Sequence, residues 1–368
     1  MLIFFSLSIV FLLIIIFFVK KKKIKVNRKK IIILYGKMTR IQDRYKIVPQ
    51  MEAYDTINCE FKPFVMFFNS KNHNSKVVNT DKLGFRYNLI NNDLISFSDL
   101  NFDEEYSIVL GGSTVFGFGS SNDNNTISSK LNKLIGEKFI NFGGTAFCSK
   151  QELYLFLNFF QKFKKIKRVI IISGANDVYL NLLNNSNQEE WGNFFFKDKY
   201  FKIFDKYQNR KNYLDNISNF LKNKIFSSNI IRNEILSEIN LSKLYNNYND
   251  IFALWKILSR SYNFELFFFL QPIPTWMNKD LSNEEIELFK ILDNTKDISH
   301  NLLKILGSRN NHTVYLNMLN DLTFKYKIKF FDLNQSLDKT NKWLFVDRVH
   351  LNDTGYELIS KIVLEQIN

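Results

Sequence analysis

Tyr106-Ser107-Ile108-Val109-Leu110-Gly111-Gly112-Ser113 reads as a buried strand that runs straight into a flexible turn and ends on a hydroxyl. The two glycines permit the tight backbone such a turn needs. A second apolar, β-branched run, Arg168–Ile172, leads into Ser173-Gly174-Ala175-Asn176-Asp177 in the same manner. Around these two runs, Lys138–Asn141, Leu266–Leu270 and Ile328–Asp332 read as further strands. Thr126–Ile135, Gln151–Phe163 and Asn352 to about Ile367 carry helical periodicity. Apolar strand runs alternating with helices predict a parallel sheet covered on both faces, an α/β class in which ligands sit at the carboxyl ends of strands. The Gly-Gly-Ser turn and the Asn-Asp turn both fall at such ends.

Composition narrows the function classes. The chain has 368 residues, 45% of them hydrophobic, enough to bury a substantial core. Cys59 and Cys148 are the only cysteines, so no disulfide framework forms, and no Cys/His cluster points to zinc. With only His73, His300, His312 and His350, a histidine-rich metallohydrolase is disfavoured. The formal charge of +14 suggests nucleic acid, but Lys20–Lys23, Lys25, Arg28, Lys29 and Lys30 supply eight of those charges in one stretch. The remainder carries only +6, which argues against a nucleic-acid partner.

The stretch Leu2–Val19 is apolar except for Ser6 and Ser8 and spans about 27 Å as a helix, close to the hydrocarbon thickness. Its charges follow the run instead of preceding it, and Lys20–Lys23 offers no small-residue cleavage site. The expectation is a single-pass N-terminal transmembrane anchor over 1–19, with a basic juxtamembrane segment over 20–46 that meets anionic lipid. The positive flank places the following chain on the cytoplasmic side, with a periplasmic or extracellular position as the alternative. An N-terminal extension covers 47–100 and the main domain 101–368. Within it, 183–240 is rich in Asn, Lys and Phe and reads as a helical insertion or cap.

Three islands carry candidate chemistry. Ser113 follows its strand but is not in a GxSxG elbow, because Val115 occupies the second glycine position. Neither a phosphate loop nor a dinucleotide fingerprint is present around Gly117-Phe118-Gly119. A serine hydroxyl needs a base in reach, and Asp347-Arg348-Val349-His350 offers a histidine with a carboxylate three residues earlier to orient it. The Asn176 amide is a hydrogen-bond donor for a developing oxyanion, an effect worth roughly 3–4 kcal/mol per donor. Its bland reading is a helix cap, a role that also suits Asp177. Asn141-Phe142-Gly143-Gly144-Thr145-Ala146 ends another strand, where a backbone N–H can face the same oxyanion.

Taken together, Gly111-Gly112-Ser113, Asn141 to Ala146, Gly174-Ala175-Asn176-Asp177 and Asp347-Arg348-Val349-His350 resemble the four blocks of the SGNH/GDSL hydrolase superfamily over roughly 105–368. Leu83-Gly84-Phe85-Arg86 and Leu270-Gln271-Pro272 are similar to segments of bacterial members with a Gly-Gly-Ser-Thr block. The resemblance implies a three-layer α/β/α flavodoxin-like sandwich. It implies Ser113 as nucleophile, His350 as base and Asp347 as orienting acid. The oxyanion hole it implies consists of the Ser113 N–H, the Asn176 side chain and a block-two N–H, aligned best with Ala146 and alternatively with Gly144. Two departures stand out: Gly112 replaces the family's Asp, and Ala146 replaces a glycine, which preserves the donor if its φ is negative.

The expected function is serine esterase action on acyl esters, acetyl among them, of a carbohydrate or lipid alcohol, without metal or organic cofactor. The alternatives are acyl transfer to a sugar or lipid hydroxyl from the same site, and a membrane-tethered binding module with a degenerate site.

Overall fold

In the computed structural model the described residues are 43–182, 238–294, 308–338 and 340–368. The expected anchor and most of the basic segment and of the 183–240 insertion lie outside them. Among the described residues no helix is long and apolar enough to cross a membrane.

A helix α1 (Met51–Thr56) is followed by two small antiparallel hairpins, β1 (Cys59–Lys62) with β2 (Met66–Asn69), and β3 (Asn88–Ile90) with β4 (Asp93–Ile95). The central sheet comprises β5 (Glu105–Gly111), β6 (Phe139–Gly143), β7 (Lys165–Ser173), β8 (Glu265–Leu270) and β9 (Lys329–Asp332). Its order is β6-β5-β7-β8-β9 and every pairing is parallel. Counted from its own first strand this is the 2-1-3-4-5 order of flavodoxin-like sheets, in which the strand direction of travel reverses at the first strand. The expected class is therefore observed in the described residues, with strand bounds within a few residues of the reading.

The connecting helices are α2 (Ser113–Phe116), α3 (Ile127–Leu134), α4 (Ser149–Phe159), α5 (Ala175–Asn181), α6 (Leu241–Ser261), α7 (Asn283–Asp293), α8 (Arg309–Tyr326), α9 (Leu333–Ser336) and α10 (Asp353–Ile367). The alternation of each strand sends its side chains to two separate cores. Ile108, Leu110, Val169, Ile171, Phe268 and Leu270 pack beneath α4, α5, α6 and α8. Val109, Ile170, Ile172, Phe267 and Phe269 pack against α3, α7 and α10 on the other face. The buried positions of α6, Leu244, Tyr248, Ile251, Phe252, Trp255 and Ser259, follow helical spacing along one face.

The segment before the sheet is part of this fold. Phe68, Phe85, Ile90 and Phe97 join the first core, while Val48, Met51, Tyr54 and Val78 join the second. Arg86 is fully buried and donates to Asp123 (Nε to Oδ1, 2.8 Å), to the Tyr54 hydroxyl (3.0 Å) and to the carbonyls of Phe116 and Gly117 (both 2.9 Å). These carbonyls end α2, so the Leu83–Arg86 lead-in grips the short helix that Ser113 opens.

Candidate active site

β5 delivers Ser113. The Cβ of any residue other than glycine at Gly143 would lie 2.0 Å from the Phe116 N, so the glycine lets α2 lie directly on β6. α2 is stopped by Gly117 (φ 92°), whose N–H returns to the Ser113 carbonyl. Ser113 is the first helical residue, so its own N–H has no intrahelical acceptor.

The C-terminal loop supplies Asp347 and His350. Val346 N–H donates to the His350 carbonyl (2.9 Å), and a bridge pairs Phe345 with Leu351. This loop is pinned from outside by Glu285, whose Oε1 accepts the N–H groups of Leu344 and Phe345 (2.9 and 3.1 Å). Lys279 neutralises that carboxylate in full burial. Within the loop, Asp347 Oδ1 accepts the N–H of Val349 and of His350 (2.9 and 2.7 Å). Its Oδ2 meets His350 Nδ1 at 2.8 Å, and His350 Nε2 meets Ser113 Oγ at 2.8 Å. Residues 237 positions apart thus form one hydrogen-bonded chain. Burial alone would raise the Asp347 carboxyl, but His350, together with Arg44 and the loop N–H, outweighs it and holds the group below the usual carboxylate range. The acid therefore stays ionised and fixes the His350 tautomer that leaves Nε2 free to accept a proton from Ser113. The ring of Phe118 lies against that of His350, with centroids 4.4 Å apart.

β7 delivers Asn176 through Gly174 (φ 113°). One Nδ2 hydrogen of Asn176 is engaged by the Phe147 carbonyl at 2.8 Å, which fixes the amide and leaves its second hydrogen for another acceptor. A Cβ on Gly112 would sit 2.9 Å from that Nδ2 and 3.2 Å from the Phe147 oxygen. The glycine that stands where the resembled family has Asp thus makes room for the amide. Asp177 reaches beyond its own helix: it accepts the hydroxyl and N–H of Ser149 at the start of α4 (2.5 and 3.1 Å).

The conformation expected at the block-two position needs correction. Ala146 has φ 60°, a left-handed conformation and not the negative φ on which the Gly-to-Ala change was expected to depend. Among the described residues no acceptor is recorded for its N–H. Gly144, the alternative donor, spends its N–H on the Gly111 carbonyl (3.1 Å), and Gly143 spends its own on Asn141 Oδ1 (2.9 Å). The loop is tied down by Asn69, which donates to the Gly143 carbonyl (3.0 Å) and accepts from the Thr145 N–H and hydroxyl (both 3.0 Å). Cys148, next to this loop, is not a competing nucleophile, because burial pushes its thiol up to about 12.

Sequence reasoning passed over Arg44, Asp55, Phe118, Asn69 and Glu285. Only Arg86, in the quoted lead-in, carried a signal; Arg44, Asp55, Asn69 and Glu285 reach the site across long separations, and no local pattern marks Phe118, just after Ser113, as the neighbour of His350.

No protein-family model matches the chain, and no curated protein matches it. Among solved structures it has a distant likeness to a member of the lipolytic protein G-D-S-L family from Veillonella parvula, at 13% identity and TM-score 0.38, over 71% of this chain and 97% of that one. A lipase/acylhydrolase from Enterococcus faecalis gives 12% identity and TM-score 0.39 over 72% and 95% of the two chains. The acetyl xylan esterase AlAXEase gives 11% identity and TM-score 0.37 over 72% and 100%. Identities and scores this low leave the reading of the site to its own distances.

Proposed function

We propose that the protein is a serine hydrolase of the SGNH/GDSL type that cleaves carboxylic esters through an acyl-enzyme. The observation that carries this reading is the continuous chain from Ser113 Oγ through His350 to Asp347, with 2.8 Å at both histidine contacts. Ser113 Oγ attacks the acyl carbonyl while His350 Nε2 takes its proton, so charge collects on the carbonyl oxygen. The Ser113 N–H, the second Asn176 Nδ2 hydrogen and the Ala146 N–H are the donors for that oxyanion. His350 then passes its proton to the leaving alcohol, and the bond from carbon to that alcohol breaks. Water, deprotonated by the same nitrogen, attacks the acyl-Ser113 ester and releases the acid. Acyl esters of a carbohydrate or lipid alcohol are the proposed substrate class, and the membrane side on which they are met is proposed to be cytoplasmic.

Hydrolysis of p-nitrophenyl acetate and labelling by a serine-reactive fluorophosphonate test this reading. Ser113→Ala is expected to lower kcat by several orders of magnitude and to abolish labelling. Turnover that survives this change would remove Ser113 from the mechanism.

A further inference from the structure

Asp347 Oδ2 accepts from a second group besides His350. Arg44, from the end of the stretch expected to be a basic juxtamembrane segment, reaches it with Nη2 at 3.3 Å across 303 positions of sequence. The Arg44 side chain is only 8% exposed. Its Nη1 lies 3.2 Å from Asp55 Oδ2, and Asp55 also accepts the Tyr45 hydroxyl at 3.0 Å. A buried arginine therefore stands between two carboxylates, one of them the triad acid. Burial raises the Asp55 carboxyl and Arg44 opposes that rise. The segment is held in place independently of these charges. Gln50 donates to the Gly119 carbonyl (3.0 Å), the Tyr54 hydroxyl donates to that of Gly117 (2.8 Å), and Val48, Met51 and Tyr54 are buried.

Resting on the hydrolase reading, we propose that Arg44 and Asp55 are positioning residues that set the electrostatic balance of the Asp347–His350 pair. Arg44 fixes the Oδ2 oxygen to which His350 Nδ1 donates and withdraws negative charge from it. Asp55 offsets that cation, so the histidine feels a graded and not a full positive field. Among the described residues, Ser113 from α2 and Tyr356 from α10 also face the pair, and Tyr356 feels Asp353 as well as Asp347. The two N-terminal residues have opposite electrostatic effects on the same proton. Loss of the Arg44 cation favours the protonated imidazole, while loss of the Asp55 anion disfavours it.

The test is the pH dependence of kcat/KM for p-nitrophenyl acetate in the full-length protein, with Arg44→Met, Arg44→Lys and Asp55→Asn beside the wild type and Ser113→Ala. Arg44→Met is expected to lower kcat about tenfold or more with little change in KM, and to move the acid limb to higher pH by about half a unit. Asp55→Asn is expected to move the limb to lower pH, and Arg44→Lys to restore most of the wild-type profile. A merely structural role would lower the unfolding midpoint without opposite displacements of the limb. Limbs that stay put, or that move in the same direction in Arg44→Met and Asp55→Asn, overturn the proposal. Where Arg44→Met does not fold, the direction of the Asp55→Asn limb decides alone. Turnover that survives Ser113→Ala would instead sink the hydrolase reading itself, a result separate from any limb displacement.

Discussion

Gly112 illustrates how a single hydrogen atom shapes the site. Its position next to the nucleophile carries an acid in the resembled family, yet here a Cβ would press on the Asn176 amide at 2.9 Å and on the Phe147 carbonyl that orients it. The φ of Gly112 is −79°, outside the left-handed region, so the added Cβ acts through its contacts with the amide and the carbonyl that holds it. Gly112→Ala should therefore displace one proposed oxyanion donor, lowering kcat about ten- to a hundredfold with KM little changed, as steady-state kinetics would read. A wild-type kcat would mean that Asn176 is not a donor in the transition state. At this scale the sequence was most legible where chemistry restricts the residue type. A serine, a histidine with a nearby carboxylate and an asparagine at a strand end were recognisable because few other side chains can do that work. Ala146 was legible only as a position. Its left-handed φ follows from the path of a loop tied to Asn69, which no local pattern announces.

At the scale of elements, the long strands declared themselves because β7 and β8 are almost continuous apolar runs, buried on both faces. The hairpins before them did not, since each strand has only three or four residues and mixes polar with apolar positions. The stretch 47–100 therefore reads as an extension before the main domain, yet it supports the helix that Ser113 opens. Arg86 is the joint between the two. It satisfies two carbonyls at the end of α2 and neutralises Asp123, whose side chain is 3% exposed. Asp123 in turn accepts from the Asn79 N–H at 3.2 Å, so the extension and the loop after α2 share one carboxylate. Arg86→Ala leaves that carboxylate buried without its cation and should cost about 3–5 kcal/mol of stability, measured by chemical unfolding. A loss below about 1 kcal/mol would show that water replaces the guanidinium at no great cost.

Across the whole molecule, the sheet divides two cores and the polar groups crowd at one end of it, where the strands stop and the loops begin. There, beneath Asn176, lie two buried acids that the proposed chemistry does not use. Glu152 accepts the Ser173 hydroxyl at 2.6 Å, and Asp177 accepts from Ser149. Burial pushes Glu152 well above the ordinary carboxylate range, and the nearby Asp177, itself raised by burial, adds to this. A carboxyl raised on folding binds its proton more tightly in the folded chain than in the unfolded one. Its contribution to stability is therefore whole below the unfolded value, near 4.5, and is lost as pH rises toward the folded value. Glu152→Gln keeps an oxygen for Ser173 and removes the charge that must be buried or neutralised at high pH. The variant should match the wild type in urea unfolding at pH 4 and exceed it at pH 8, with the gap opening between them. The same change should leave kcat nearly untouched, because Glu152 acts on the folding equilibrium and does not meet the reacting atoms. A variant less stable than wild type at pH 8 would mean that the carboxylate is held there by partners that repay its burial, and that the end of the sheet is built around a charge.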